Sequence, residues 1–114
     1  MTTTLMTKNL AAQAFERRDY GAAVGYLCDI LEEHPGNAEA RELLARAYYH
    51  RASLPHAEEQ LRIILDRDPT DEYATLLLAR TLERQSRHDE AAGVRRVLAA
   101  LTGEPRHAQG YRPI

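Results

Sequence analysis

The sequence predicts an all-α fold of stacked, antiparallel helical hairpins. Three observations carry this. The 114-residue chain is rich in Ala and Leu, lacks Trp, and has Phe15 as its one Phe and few Val or Ile, so intrinsic propensity favours helix over strand. Helix start and stop signals alternate along its whole length. The sequence also matches itself at a shift of 34 residues with no insertion: Leu10-Ala11 falls on Leu44-Ala45 and Leu78-Ala79, Ala23 on Ala57 and Ala91, Ile30 on Ile64 and Leu98, and Pro35 on Pro69. A period of this length holds two helices, which cannot bury their apolar face alone and so stack on their neighbours.

The signals place six helices, near 4–17, 20–33, 38–51, 54–67, 72–85 and 88–101. Asp19 opens the second helix, which stops at His34-Pro35-Gly36. Asn37 precedes Ala-Glu-Ala and opens the third. Ser53 opens the fourth, with Pro55 in its first turn, and Asp68-Pro69 ends it. Thr70-Asp71 precedes the fifth, and Ser86-Arg-His-Asp89 reads as a short-armed capping box before the sixth. The small residues Ala11 and Ala23, Ala45 and Ala57, and Ala79 and Ala91 fall where paired helices must approach closely.

These residues give the chain its resemblance to the tetratricopeptide-repeat family, whose pattern is Trp-x2-Leu-Gly-x2-Tyr, then Ala-x3-Phe, then Pro. Thr7, Leu10, Ala11, Ala14, Ala23, Leu27 and Pro35 take these places first; Arg41, Leu44, Ala45, Tyr48, Ala57, Leu61 and Pro69 follow. Thr75, Leu78, Ala79, Leu82, Ala91, Arg95 and Gly103 come third. The Trp is missing throughout, Ala replaces Gly, and the last Pro is displaced to Pro105. The resemblance implies a right-handed helical-hairpin solenoid: a domain over 1–105 with repeats at 4–37, 38–71 and 72–105, then a flexible tail over 106–114.

In that family the first helices of successive repeats line a concave groove. The resemblance therefore implies groove positions for Lys8, Asn9, Leu43, Arg46, Tyr49, Tyr73, Leu77, Arg80 and Arg84. Arg46 and Arg80 share a repeat position, as do Leu43 and Leu77. Two readings stand side by side. In one, the arginines form a ladder for carboxylates beside apolar pockets and aromatic platforms. In the other, they pair with Glu39, Glu42 or Glu83 while the leucines pack between helices. The family's chaperone-binding clamp, which captures two carboxylates, is not expected: only Lys8 fits it, and Ala12, Leu43, Tyr73 and Leu77 occupy the other clamp positions.

Catalytic, metal and cofactor sites are not expected. Cys28 has no His or Asn placed beside it by the pattern, and one cysteine fits a reducing compartment. His34, His50, His56, His88 and His107 lack ligand spacing, and Gly21, Gly25 and Gly36 lack the spacing of a phosphate loop. Net charge is −2, from 15 basic and 17 acidic residues, which argues against a nucleic-acid or membrane-surface binder. No secretory leader or spanning segment is read in the sequence, so a cytoplasmic location is expected.

Residues 1–71 hold eight cations against twelve anions, and 72–114 hold seven against five. A solvated surface explains this gradient; head-to-tail or antiparallel self-association is the other reading. The segment after Leu101 has two Gly and two Pro and reads as no capping helix, which leaves Leu82, Val94, Arg95, Val97, Leu98 and Leu101 at the third repeat's edge. Three covers are open: the tail with Tyr111 and Ile114 as plugs, a second copy in a homodimer, or the partner. The expected function is a non-enzymatic module that binds a peptide or protein as adaptor or co-chaperone. The alternative is a structural or assembly role through self-association or entry into a complex.

Overall fold

The computed structural model describes residues 4–110, and the elements in that span are helical: α1 (Thr4–Glu16), α2 (Tyr20–Glu33), α3 (Ala38–His50), α4 (Leu54–Arg67), α5 (Glu72–Arg84), α6 (His88–Thr102) and a 3₁₀ turn, Pro105–Ala108. Every helix boundary lies within one residue of its sequence expectation. The chain divides into two compact units, Met1–Gln60 and Leu61–Ile114, with the division inside α4.

Three carboxylate or amide caps set helix starts. Asp19 accepts from the Ala22 N–H, Asn37 from Ala40 and Asp71 from Ala74. Each ties down a donor that the first turn leaves without an intrahelical partner. Ser86 behaves differently from its expected role as a cap. Arg87 takes the N-cap position of α6 without a side-chain bond, because Ser86 is held at φ 60° one residue earlier.

That conformation belongs to a device repeated along the chain. Arg18, Ala52 and Ser86, each 34 residues apart, have φ of 59°, 61° and 60°. In each turn the left-handed residue donates three residues back and its successor donates five back: Arg18 to Phe15 and Asp19 to Ala14, Ala52 to Tyr49 and Ser53 to Tyr48, Ser86 to Glu83 and Arg87 to Leu82. These paired bonds satisfy the last carbonyls of α1, α3 and α5 and reverse the chain within a few residues.

In the first unit the core is Ala11, Ala14, Ala23, Leu27, Ile30, Leu31, Ala40, Leu44 and Ala47, with Phe15, Tyr20, Leu43 and Tyr48 packed against it. Ala11 and Ala23 are almost wholly buried where α1 meets α2, as the small-residue pattern requires. Arg41 extends the framework, donating to Gln60 Oε1 at 2.6 Å and to the Pro35 carbonyl at 3.0 Å.

In the second unit α5 packs on α6, and Leu78, Ala79, Leu82, Ala91 and Leu98 are buried. Two buried threonines of α5 satisfy themselves: Thr75 donates to the Asp71 carbonyl and Thr81 to the Leu77 carbonyl. Gly103, at φ 72°, ends α6 and turns the chain into the 3₁₀ turn, which packs back on that helix. Thr102 and His107 are hydrogen-bonded at 2.8 Å across this corner. The expected tail over 106–114 thus begins within the turn Pro105–Ala108, which packs on α6. Tyr111 and Ile114, the expected plugs, lie outside the described residues.

Candidate functional site

The faces that the sequence singled out are described unit by unit, α1 and α3 in the first and α5 in the second. On α3, Arg46 places its guanidinium carbon 4.9 Å from the centroid of the Phe15 ring on α1. A cation over an aromatic face is held by the ring's quadrupole, worth about 0.5–2 kcal/mol according to desolvation. Around it lies an aromatic cluster. Phe15 meets Tyr20 edge-on at 5.3 Å, Tyr20 stacks on His50 at 5.0 Å, and Tyr49 meets His50 edge-on at 5.8 Å.

None of the three acids named as the alternative, Glu39, Glu42 and Glu83, pairs with Arg46. Glu39 bonds Lys8 at 3.1 Å, and Glu83 is engaged by Arg95. Among the described residues Arg46 has no carboxylate partner, and its buried Nε has no hydrogen-bond acceptor. Lys8 is an exposed, paired cation and Asn9 is exposed.

Between α1, α2 and α3 lies a small pocket of about 20 Å³. Ala11, Leu27, Ile30, Ala40 and Leu43 form its apolar wall, with Lys8 and Glu39 at its lining. Leu43 therefore contributes as a partly buried wall and not as an exposed contact.

On α5, Tyr73 is 43% exposed, and Arg80 and Arg84 are exposed. Arg80 has no ion pair among the described residues. Leu77 corrects the groove assignment: at 5% exposure it is core and offers a ligand almost nothing.

The self-association set is corrected in the same way. Leu82 is fully buried and Leu98 is 3% exposed, because the α5–α6 hairpin packs them internally. Arg95 is occupied by Glu83, and Val94 and Leu101 are partly buried. Val97, at 51% exposure, is the large apolar residue left open among the described members of that set.

Tyr20 is the member of the aromatic cluster that sequence reasoning missed. The available signal was repeat spacing: Phe15 and Tyr49 are 34 residues apart, which puts two aromatic rings at equivalent ends of α1 and α3, beside the turn that starts α2. A second ring pair lies on the other side of α3, where Tyr48 stacks on His56 at 5.1 Å. Burial raises the Tyr48 pKa above its ordinary value, with the Cys28 thiol and Glu59 adding to the shift and Arg51 opposing it. Cys28 itself is an exposed free thiol.

Comparison with known proteins agrees with this architecture. No curated protein sequence matches the chain. Among solved structures, MamA MSR-1 C2 superposes with a TM-score of 0.83 at 21% identity over 89% of this chain and 58% of that one. This chain thus spans less than two thirds of the MamA structure. The Arabidopsis OM64 TPR domain gives 0.79 at 20% identity, covering 92% of this chain and 87% of that domain. The TPR2B domain of yeast Sti1, in its complex with pHsp70, gives 0.78 at 16% identity, covering 93% and 85%. At these identities the likeness is one of fold, an all-α helical-repeat solenoid. Residues 14–80, more than half of the chain, match the tetratricopeptide repeat. With that match, and with turns and caps recurring at the same spacing, the chain belongs to the tetratricopeptide repeat family.

Proposed function

We infer that the chain is a non-enzymatic protein-interaction module that holds a peptide or protein on the exposed faces of its first helices, acting as an adaptor or co-chaperone. The observation that carries this reading is the state of Arg46. It is fixed on an aromatic ring yet paired with no carboxylate among the described residues. A pre-positioned, uncompensated guanidinium is suited to bidentate recognition of an acidic group, with little ordering cost on the protein side. On α5, Tyr73 and Arg80 are exposed. The Sti1 neighbour, solved as a complex with pHsp70, supports the use of this fold for binding. No described helix is long and apolar enough to cross a membrane.

Self-association as the main role has less support, because Leu82 and Leu98 are buried within one chain. Affinity capture from native lysate tests the proposal. The unaltered chain should retain a partner, and Arg46→Glu and Arg80→Glu, singly and together, should reduce capture while circular dichroism stays helical. Undiminished capture by the double variant would remove these arginines from the function.

A further inference from the structure

We propose that copies of this chain associate head to tail, the N-terminal end of α1 in one copy seating on the hollow between α6 and the 3₁₀ turn of the next. Leu5 and Met6 enter the hollow, and Glu33 pairs with Arg96 beside it. This goes beyond the interaction-module reading and uses neither Arg46 nor the exposed face of α5.

The apolar surface lies where such a contact needs it. Among the described residues the exposed large apolar side chains are Leu5, Met6, Tyr73 and Val97. Tyr73 apart, they fall at two places: Leu5 and Met6, 69% and 54% exposed, begin α1, and Val97 is on α6. Val97 stands one helical turn before Ala100, which lines a shallow hollow with Ala99, Pro105 and Ala108. Arg96 is the charged residue of that lining.

The 34-residue period gives the pairing of helices. In the first unit α2 packs on α3, and Leu31 and Ala40 are buried in the same core cluster. Met6 is the counterpart of Ala40 one period earlier, and Ala99 is the counterpart of Leu31 two periods later. Seating α1 of one copy on α6 of another therefore repeats, between molecules, the packing of α3 on α2. Two features confine the contact to the start of α1. The 3₁₀ turn already covers part of α6, and exposed Gln13 stands where α3 has the buried Ala47. A contact along the whole helix would bury the Gln13 amide without a partner, which is costly.

Charge makes a second copy the fitting occupant. The Thr4 hydroxyl donates to Glu33 Oε2 at 3.4 Å, which holds that carboxylate beside the start of α1. Glu33 has no Lys or Arg partner among the described residues, and Arg96 is exposed with no ion pair among them. Each surface thus joins an apolar patch to one uncompensated charge, and the two charges are opposite. An exposed pair adds little affinity, but like charges at that place would oppose docking, so the pair sets the register. Because the two surfaces differ, the interface is heterologous and builds rings or an open series.

Sedimentation velocity on the full chain, from micromolar to millimolar concentration, tests this. The average mass should rise with concentration. Met6→Ser and Val97→Asp should each weaken association about tenfold while circular dichroism stays helical. Glu33→Arg and Arg96→Glu should each weaken it alone, because two like charges then meet, and an equal mixture of these two variants should recover it. Recovery on mixing separates a contact between molecules from a change in the fold of either variant. A mass that stays monomeric at every concentration would overturn the proposal. So would association that the four variants leave unchanged, or that the mixture fails to recover. Capture of a partner by the Arg46 and Arg80 variants is read separately, so either proposal fails without the other.

Discussion

Arg95 grips Glu83 through two parallel hydrogen bonds, Nε to Oε2 at 2.7 Å and Nη2 to Oε1 at 2.9 Å, with side chains only 14% and 13% exposed. This α6-to-α5 clamp occupies the position where the family carries an aromatic ring, and it joins the two helices by charge. The bond from Glu83 raises the Arg95 pKa against the opposing effect of burial, so the guanidinium stays charged at any working pH. Removing one partner strands the other in a low-dielectric site. Arg95→Leu should therefore destabilise by about 3 kcal/mol, whereas Glu83→Leu with Arg95→Leu should lose much less, since a buried pair is often replaceable by apolar side chains. Urea unfolding of both single variants and the double variant measures the difference; a double-variant loss equal to the sum of the two single losses would show that the pair acts as two independent contacts.

The C-terminal segment lies against that clamp. A Cβ placed on Gly110 would sit 2.6 Å from Glu83 Oε2 and 3.1 Å from Arg95 Cδ, so no larger residue fits without displacing the chain or the pair. Gly110→Val should lift this segment, speeding amide exchange at residues 104–110 while costing about 1–2 kcal/mol in global stability. Exchange unchanged from the parent would mean that the segment does not depend on this approach.

The turn residues Arg18, Ala52 and Ser86 offer a stabilising change. A left-handed conformation costs a residue with a Cβ about 1–2 kcal/mol, and glycine gives back part of that advantage through its freer unfolded chain. Ala52→Gly should thus raise the unfolding free energy by about 0.5–1 kcal/mol, visible as a higher Tm. A lower Tm would indicate that the Ala52 methyl makes contacts that outweigh its backbone strain.

Tyr48 sets a pH limit. Its pKa is raised, chiefly by burial and then by the Cys28 thiol and Glu59, above the ordinary value of 10.0. The neutral phenol is favoured by the fold, so this contribution is complete below pH 10.0 and is lost as pH rises through the higher folded value, where the unfolded chain ionises first. Tyr48→Phe removes only the phenol hydroxyl and should change stability at neutral pH by less than about 1 kcal/mol. It should also flatten the decline above pH 10. Melting curves from pH 7 to 11 for both proteins give the comparison, and parallel declines would assign the alkaline loss to other groups.

The sequence by itself determined the helices, their ends and their pairing. Those features arise from local rules and from a period: Asp19, Asn37 and Asp71 cap because a short acceptor reaches back to its own first turn, and Ala11 and Ala23 pack because only small residues allow close helices. The left-handed turns were not legible, because Arg18, Ala52 and Ser86 lack the glycine that usually marks them. Nor was the fate of each side chain on the chosen faces. Helical periodicity puts Leu43 and Arg46 on one side of α3, and Leu77 and Arg80 on one side of α5, but only tertiary packing decided that Leu77 is core, that Leu43 walls a pocket, and that Arg46 turns onto Phe15 in place of a glutamate. Angle along one helix fixes a direction, whereas burial and charge pairing depend on neighbouring elements, and those are distant in sequence.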